Sequence, residues 1–407
     1  LKENLLTNSG FDVWSNSTLV NPTTGVAPVC DDAGDLFENG DATEALTTGW
    51  GDNSGAGSAV VIVGGEWDFD GSTAYANLSS DGLTIVEGKL YQIGYDVKAA
   101  GHANDELYIG TSSGGSQVVH LSVPFDTTSI TDGLKILWEA TTSGTVYVTF
   151  RTGYSTLELD NLMMHEVTPG CVDTATTAFD GWSRSHNTLD IYREQNHGTY
   201  SKDGSFYSLK VVKGASSAEK LKWKDDTEGA GLTHILRFHG RTVTFGAWVY
   251  SVSAADNVKL AIFDGSWTLS STYASADGWV WLEQTKTIST SATSVHFGFD
   301  FDGDTSDVAY ISQPMLVFGS SIGEGNYTRP QGEIVWLEKD VLSTVYNESK
   351  TLSANAEINL ESDGQGKIPK GAVAVHSRLI GESATVEGYL SLNNEDSADS
   401  AAHSIYA

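Results

Sequence analysis

The chain has 407 residues, enough for two to four domains of ordinary size. Its 53 acidic and 23 basic side chains leave a formal net charge of −30 at pH 7. Such a surface repels phosphate backbones and anionic lipids, so nucleic acid and anionic membranes are disfavoured as partners.

The sequence also argues against a membrane-spanning helix, a signal peptide and a disulfide framework. No stretch approaches the roughly 20 apolar residues of a membrane-spanning helix, and residues 1–6 do not have the pattern of a signal peptide. The two cysteines, Cys30 and Cys171, are too few for a disulfide framework, and they could form one bridge or remain free thiols. Stability must therefore come from ordinary hydrophobic cores.

Short apolar runs between turn residues predict an all-β protein. The chain has 43 glycines and only 7 prolines, and Val, Ile, Phe and Tyr recur in brief runs bounded by Gly, Asp, Asn and Ser. The runs alternate strictly: Val295, Phe297 and Phe299 point to one side, and His296 and Gly298 point to the other. A period of two with one apolar face predicts β-sandwiches of jelly-roll type.

Two stretches of the chain correspond to each other over a period of about 150 residues. Residues 91–98 match residues 243–250, and residues 145–150 match residues 294–299, in the same order and with similar spacing. The sequence therefore predicts two tandem jelly-roll β-sandwich modules.

Turn-rich segments near residues 169–170 and 329–332 set the predicted domain boundaries. The first module is predicted over residues 1–168 and the second over residues 169–330. Four further short strands predict a small C-terminal β domain over residues 331–407, which could be incomplete.

The two ends of the predicted first module resemble a known family. Residues 4–11 (NLLTNSGF) are similar to the opening, and residues 159–163 (LDNLM) to the closing strand, of the carbohydrate-binding modules appended to xylanases and cellulases. The resemblance implies a jelly roll with a structural calcium ion near its paired first and last strands. Asp12 and Asp160 would be its candidate oxygen ligands, unless they are ordinary surface aspartates in turns.

Three segments also resemble phage tail-fibre and virion appendage proteins. The start, residues 4–17, is similar to their opening. Residues 310–319 and 327–330 are similar to the end of their sugar-binding-like modules, although Phe318 stands where Glu is usual. Residues 366–371, which an alternating strand follows, are similar to part of their small C-terminal domains. These resemblances imply a location in a virion and contacts with other virion proteins.

Glycan binding needs an aromatic platform with polar groups at its edge. Seven residues are predicted to point away from the cores and to form such platforms, unless loops or the neighbouring module cover them. They are Tyr108, Tyr147 and Arg151 in the first module and Trp248, Tyr250, Phe263 and His296 in the second. His296 could equally be a solvated histidine.

Motifs that would indicate catalysis are weak. Residues 110–114 match G-x-S-x-G, but a strand rather than a helix follows, which predicts a turn. The acidic residues Asp300, Asp302, Asp304 and Asp307 could bind calcium, but they lack the spacing of an EF-hand loop. The sequence predicts a protein that is not an enzyme.

The resulting hypothesis is a phage virion structural protein, a fibre or appendage that binds a host-surface glycan. Repetition would raise avidity, and analogy with phage fibres favours a homotrimer. The first alternative is the binding part of a secreted polysaccharide-degrading enzyme. The second is a depolymerase with an unrecognised carboxylate pair.

Overall fold

The computed structural model describes residues 3–330 and 335, with gaps at 103–104, 117, 122–124, 126, 154, 173–177, 196–198, 203–204, 206, 218, 224–234, 253–257 and 272–277. Within these residues the chain forms β-strands and one turn of 3-10 helix, Ile235–Arg237, so the all-β prediction is confirmed. No helix in this part of the chain is long and apolar enough to cross a membrane. The predicted C-terminal domain lies outside the described residues, apart from residue 335.

The first half of the chain contains the strands β1 Thr18–Val20, β2 Trp50–Asp52, β3 Ala59–Val63, β4 Glu66–Asp70, β5 Tyr75–Ser80, β6 Leu83–Ile85, β7 Leu90–Ala99, β8 Glu106–Gly110, β9 Val119–Leu121, β10 Thr131–Glu139, β11 Gly144–Gly153 and β12 Thr156–Cys171. The second half contains β13 Trp182–Arg184, β14 Asp190–Glu194, β15 Ser208–Val212, β16 Glu219–Trp223, β17 Thr242–Ser251, β18 Val258–Phe263, β19 Trp267–Leu269, β20 Val280–Thr287, β21 His296–Phe301 and β22 Val308–Phe318.

The first sandwich packs two antiparallel sheets face to face. One sheet has the order β3-β4-β12-β7-β10, and the other has the order β2-β5-β11-β8-β9, with β6 also paired to β11. In β11, Val146, Val148 and Phe150 enter the core as predicted, while Tyr147 and Arg151 point away from it. The core therefore lies between the sheets, and the outer side of each sheet is available for other contacts.

The second sandwich repeats this strand order without change. Its sheets are β14-β15-β22-β17-β20 and β13-β16-β21-β18-β19, so each of these strands has a counterpart in the first sandwich, where β6 is an addition. The predicted matches place β7 with β17 and β11 with β21, and both pairs occupy equivalent positions. The two sandwiches are thus two copies of one module.

Even an irregularity is repeated. The ladder between β7 and β12 shifts register between Asp160 and Met163, and the ladder between β17 and β22 shifts at the corresponding place. The extra residue in each case, Asn161 or Gln313, has a positive φ, 50° and 52° respectively. A bulge of this kind re-aims the following side chains, and its repetition supports the equivalence of the modules.

The start of the chain does not belong to the first sandwich. Phe11 and Trp14 are fully buried in the second core, where their ring centroids lie 5.5 and 4.5 Å from that of Phe179. The Leu5 amide donates a hydrogen bond to the Leu316 carbonyl of β22 at 2.9 Å. Residues 4–17, called here the opening segment, therefore complete the second sandwich.

A similar segment later in the chain serves the first sandwich. The Leu36 amide donates to the Met164 carbonyl of β12 at 2.8 Å. The Asp35 carboxylate accepts from the Met164 amide at 2.9 Å, as the Asn4 side-chain oxygen accepts from the Leu316 amide at 3.1 Å. Each sandwich thus has its own opening segment against its own closing strand.

The modules are therefore nested rather than strictly consecutive. The first sandwich, whose core residues extend from Leu36 to Met164, is inserted between the opening segment and the rest of the second sandwich. The division predicted at residue 168 falls inside β12, a strand that serves both sandwiches. The predicted start of the first module at residue 1 is wrong, because residues 4–17 pack in the other core.

Candidate functional site

The predicted glycan-contacting residues lie outside both hydrophobic cores, but on more than one surface. Tyr108, Tyr147 and Arg151 lie on β8 and β11. Phe263 and His296 lie on β18 and β21, the equivalent strands of the second sandwich. Two surfaces are defined here. The first outer face consists of Tyr75, Glu106, Tyr108, Tyr147 and Arg151, and the second outer face consists of Lys220, Phe263, Trp267, His296 and Asp300.

Arg151 is at the centre of the first outer face. Its guanidinium carbon lies 3.3 Å from the centroid of the Tyr75 ring, a cation–π contact. Its Nη1 donates to the Tyr108 hydroxyl at 2.7 Å and lies 3.5 Å from the Glu106 carboxylate. The Tyr108 ring is only 7% exposed, whereas Tyr75 is 37% exposed. Tyr75 is therefore the more exposed ring, and because Arg151 covers one side of it, a ligand could stack only on the opposite side.

The polar groups of this face are fixed by one another. Burial, followed by the hydrogen bond that Tyr108 donates to Glu106, raises the pKa of the Tyr108 phenol to about 12. The phenol consequently stays protonated at neutral pH. Across the sheet, Tyr147 lies opposite Gly110, which has no side chain to cover the ring. Within the described residues, Arg151 Nη2 donates no hydrogen bond to the protein.

A turn covers the middle of the first outer face. The Gly114 amide donates to Ser79 Oγ at 3.1 Å and to Thr149 Oγ1 at 3.3 Å. Gly114 ends the G-x-S-x-G sequence, and the described residues after it form a turn and then β9. The predicted turn is confirmed, because a nucleophile elbow would lead into a helix at this point.

The second outer face combines three rings with an ion pair. The ring centroid of Phe263 lies 5.1 Å from that of Trp267 and 5.6 Å from that of His296. Lys220 Nζ lies 2.6 Å from Asp300 Oδ1 and 5.3 Å from the Trp267 ring. The face therefore offers half-buried aromatic surface beside charged groups that neutralise each other.

The two faces carry opposite charges at equivalent positions. Arg151 of β11 corresponds to Asp300 of β21. Arg151 follows Phe150, which pairs with β8, and Asp300 follows Phe299, which pairs with the equivalent strand β18. Each has a partner of the other sign on a neighbouring strand, Glu106 in the first case and Lys220 in the second. Tyr75, Glu106, Trp267 and Lys220 are not among the residues predicted from the sequence. Alternation in β5 could have indicated Tyr75, but the ion-pair partners require the strand register.

Trp248 and Tyr250 lie elsewhere. Both belong to β17, in the other sheet of the second sandwich, so a single platform of all four predicted residues is wrong. Lys202 Nζ lies 4.2 Å from the Trp248 ring, and the Tyr200 ring lies 5.5 Å from that of Tyr250. The segment containing Tyr200 and Lys202 therefore covers these rings, as the alternative interpretation predicted.

The two predicted calcium ligands do not form a shared site. Asp12 belongs to the opening segment of the second sandwich, and its carboxylate accepts two hydrogen bonds from Arg329 at 2.7 and 3.3 Å. Asp160 lies in the first sandwich, 3.9 Å from Lys98 Nζ and beside Asn161. The paired opening and closing motifs on which this prediction depended belong to different modules.

A cysteine and two carboxylates lie close together beside the closing strand of the first sandwich. Cys30, Asp31 and Asp35 place one ligand atom each within 4.8 Å. These groups already serve the fold, since Asp31 accepts from the Gly40 amide at 3.2 Å and Asp35 from the Met164 amide. Burial raises the pKa of the Cys30 thiol well above its usual range, and the nearby Asp31 and Asp35 charges add to this shift. Cys30 and Cys171 are both free thiols.

The acidic stretch after β21 is also accounted for by local contacts. Asp300 pairs with Lys220, and Lys259 Nζ lies 3.6 Å from Asp302. The Asp304 amide donates to the Asp307 carboxylate at 2.6 Å, which closes a tight turn. The acidic-turn interpretation therefore fits these residues better than a calcium loop.

Comparison with known proteins gives weak similarities only. No protein-family model and no curated protein matches the chain. The tandem CBM22-1–CBM22-2 domain of Paenibacillus barcinonensis Xyn10C is 13% identical, covers 72% of this chain and 100% of its own, and has a TM-score of 0.26. The CBM22-1–GH10 modules of Clostridium thermocellum Xyn10B, complexed with xylohexaose, are 13% identical over 39% of this chain and 30% of theirs, with a TM-score of 0.28.

A phage protein has similarity of the same low order. The enzymatically active domain of bacteriophage CBA120 tailspike protein 4 is 10% identical, covers 34% of this chain and 19% of its own, and has a TM-score of 0.26. Similarities this low carry no argument about function. The strand order of the chain itself establishes the fold.

Proposed function

We propose that this protein is a non-catalytic glycan-binding protein that uses the outer faces of its two sandwiches. One observation carries the proposal: the same sheet of each module presents aromatic rings beside a cation–carboxylate pair. Tyr75 with Arg151 forms this arrangement in the first sandwich, and Trp267 with Lys220 forms it in the second. Because two divergent copies keep the arrangement with different residues, it is a property of the surface rather than of one sequence motif.

The chemistry of these faces suits a sugar ring. A pyranose has an apolar side that stacks on an aromatic ring and hydroxyls that need hydrogen bonds at the edge. Arg151 Nη2 supplies donors beside Tyr75, and the Lys220 ammonium, which the buried Asp300 carboxylate neutralises, supplies donors beside Trp267. Neither contact requires the protein to bury an unpaired charge, so binding avoids the cost of desolvating one.

The proposal extends to the setting in which the protein works. The sequence resemblances at residues 4–17, 310–319 and 366–371 support a place on a phage virion, as an appendage present in several copies. Repetition matters because one sugar site is weak, and multivalency raises avidity by roughly 10²–10⁴. Mass spectrometry of purified virions would test this setting. A sedimenting monomer that is absent from every particle would instead favour the secreted binding protein.

Substitution of the stacking rings should weaken glycan binding. On an array of bacterial surface and plant polysaccharides, the full chain should bind at least one glycan. The double variant Tyr75→Ala/Trp267→Ala should lose about 1–2 kcal/mol at each face, roughly 5- to 30-fold in affinity per site, because each change removes a stacking ring.

Trp279→Ala provides the matched control. It removes an indole of the same size from the aromatic group around Tyr250, where ring centroids are 5.7 Å apart, and it should leave glycan binding unchanged. If the double variant bound as well as the parent chain, or if the parent bound no glycan, the proposed function would be wrong.

A further inference from the structure

We infer that one chain binds two separate neutral polysaccharide chains, one on each outer face, and so bridges them. This inference rests on the proposed function and adds to it the kind of partner and the number of partners held at once.

The two outer faces point away from each other because the sandwiches lie on opposite sides of one shared sheet. Strand β12 runs from the first sandwich into the second, with β7 paired to its first part and β14 to its last residues. Met164 lies in the first core and Cys171 in the second. These residues are an odd number of positions apart on a strand whose register is continuous between them, so they face opposite sides.

Two pairs of charged groups report the same geometry. Burial lowers the pKa of Lys210, and the charges of Glu194 and Glu166 oppose this shift. Glu166 shares the side of Met164, whereas Lys210 Nζ lies 5.3 Å from Tyr192 on the outer side of the second sandwich. Burial likewise lowers the pKa of Arg193, which shares the core side of β14 with Ile191, and the charge of Glu139 on the outer side of the first sandwich is among those that oppose this shift. The core side of each sandwich thus continues as the outer side of the other.

Sheet twist does not undo this arrangement. Three strand-to-strand steps separate β12 from β22, the strands that receive the two opening segments. At about 20–25° of rotation per step, the sheet turns by roughly 60–75° between them. On a flat sheet the two outer faces would point in opposite directions. After this rotation, the angle between the directions in which they point is still more than a right angle. A single extended glycan therefore cannot lie on both.

The joint between the sandwiches is also built to resist bending. The Leu90 amide of the first sandwich donates to Gln195 Oε1 of the second at 3.2 Å, and Thr168 Oγ1 donates to the Arg193 carbonyl at 2.5 Å. Lys210 Nζ donates to the Pro22 carbonyl at 2.9 Å. A continuous strand with hydrogen bonds on both sides leaves no linker about which one face could swing toward the other.

Charge identifies the partner as a neutral glycan. The chain carries a formal net charge of −30, which repels polyanionic polysaccharides. The central cations of the faces are already neutralised, Arg151 by Glu106 and Lys220 by Asp300. What each face offers is ring surface with hydrogen-bonding groups, which is the requirement of an uncharged polysaccharide.

A bridging assay tests the inference with the full chain. Beads carrying a neutral polysaccharide that the protein binds are incubated with the protein and then with the same polysaccharide in soluble, fluorescent form. We expect the protein to recruit fluorescence to the beads. Tyr75→Ala and Trp267→Ala, made singly, should each still bind the beads through the remaining face but reduce recruitment by roughly 5- to 30-fold, the loss expected at the altered site.

The assay is run on the monomeric fraction isolated by sedimentation, because an oligomer with one active face per chain would also recruit fluorescence and would hide the effect of either single variant. Recruitment that persists in both single variants overturns the inference. Bead binding without recruitment by the parent chain overturns it as well, while the proposed function stands. Loss of bead binding by the parent chain would remove both.

Discussion

A chain that begins at residue 18 is expected to have an unfolded second sandwich and a folded first sandwich. The truncation removes Leu6, Phe11 and Trp14, all fully buried in the second core. At about 1.5–3 kcal/mol for each buried apolar side chain, the loss is comparable to the whole stability of a typical domain, about 5–15 kcal/mol. None of the removed residues contributes to the first core.

Hydrogen exchange read peptide by peptide would show this directly, because each sandwich reports separately. Amides of β17 and β22 should exchange freely in the truncated chain, and amides of β7 and β11 should remain protected. A synthetic peptide of residues 3–17 added in trans should restore protection to β22, since Leu5 donates to Leu316 of that strand. Full protection of β17 in the truncated chain would contradict the nested arrangement.

Asp180→Ala is expected to destabilise the second sandwich by about 3–5 kcal/mol. This loss combines two contributions, the charged hydrogen bonds that are lost and the cost of leaving a buried donor unpaired. Its fully buried carboxylate accepts from the amide and the hydroxyl of Ser15, both at 2.5 Å, and so holds the opening segment in place. Asp180→Asn keeps one acceptor oxygen and should lose about half as much. The opening free energy from hydrogen exchange measures both, and a loss below about 1 kcal/mol for the alanine variant would show that the segment is held by other contacts.

The fold class and the repeat were predictable because they depend on local patterns. Alternation in β11 and β21 identifies core and outer side chains within a strand, and matched order along the chain identifies the two copies. The nested arrangement was not predictable in this way. The opening segment, residues 4–17, and the similar segment that contains Asp35 and Leu36 play the same role in the two sandwiches. Nothing in either sequence indicates which closing strand it will contact. That choice depends on contacts between residues distant in the chain, such as Leu5 with Leu316.

The candidate site, like the fold, was predictable only where it depends on alternation within a strand. Alternation correctly placed Tyr147, Arg151 and His296 on outer sides, yet it cannot tell the two sheets of a sandwich from each other, because both alternate alike. Trp248 was therefore grouped with His296 although they lie on different sheets. Glu106 could be recognised as the partner of Arg151 only once the register of β8 against β11 was known.

Each sandwich is expected to carry one glycan-binding face. Calorimetric titration of the full chain with a neutral oligosaccharide from the polysaccharide it binds tests this most directly, because it counts sites as well as measuring affinity. Two sites per chain are expected, of which Tyr75→Ala removes one and Trp267→Ala the other. A single site, or two sites that neither substitution affects, would contradict the account.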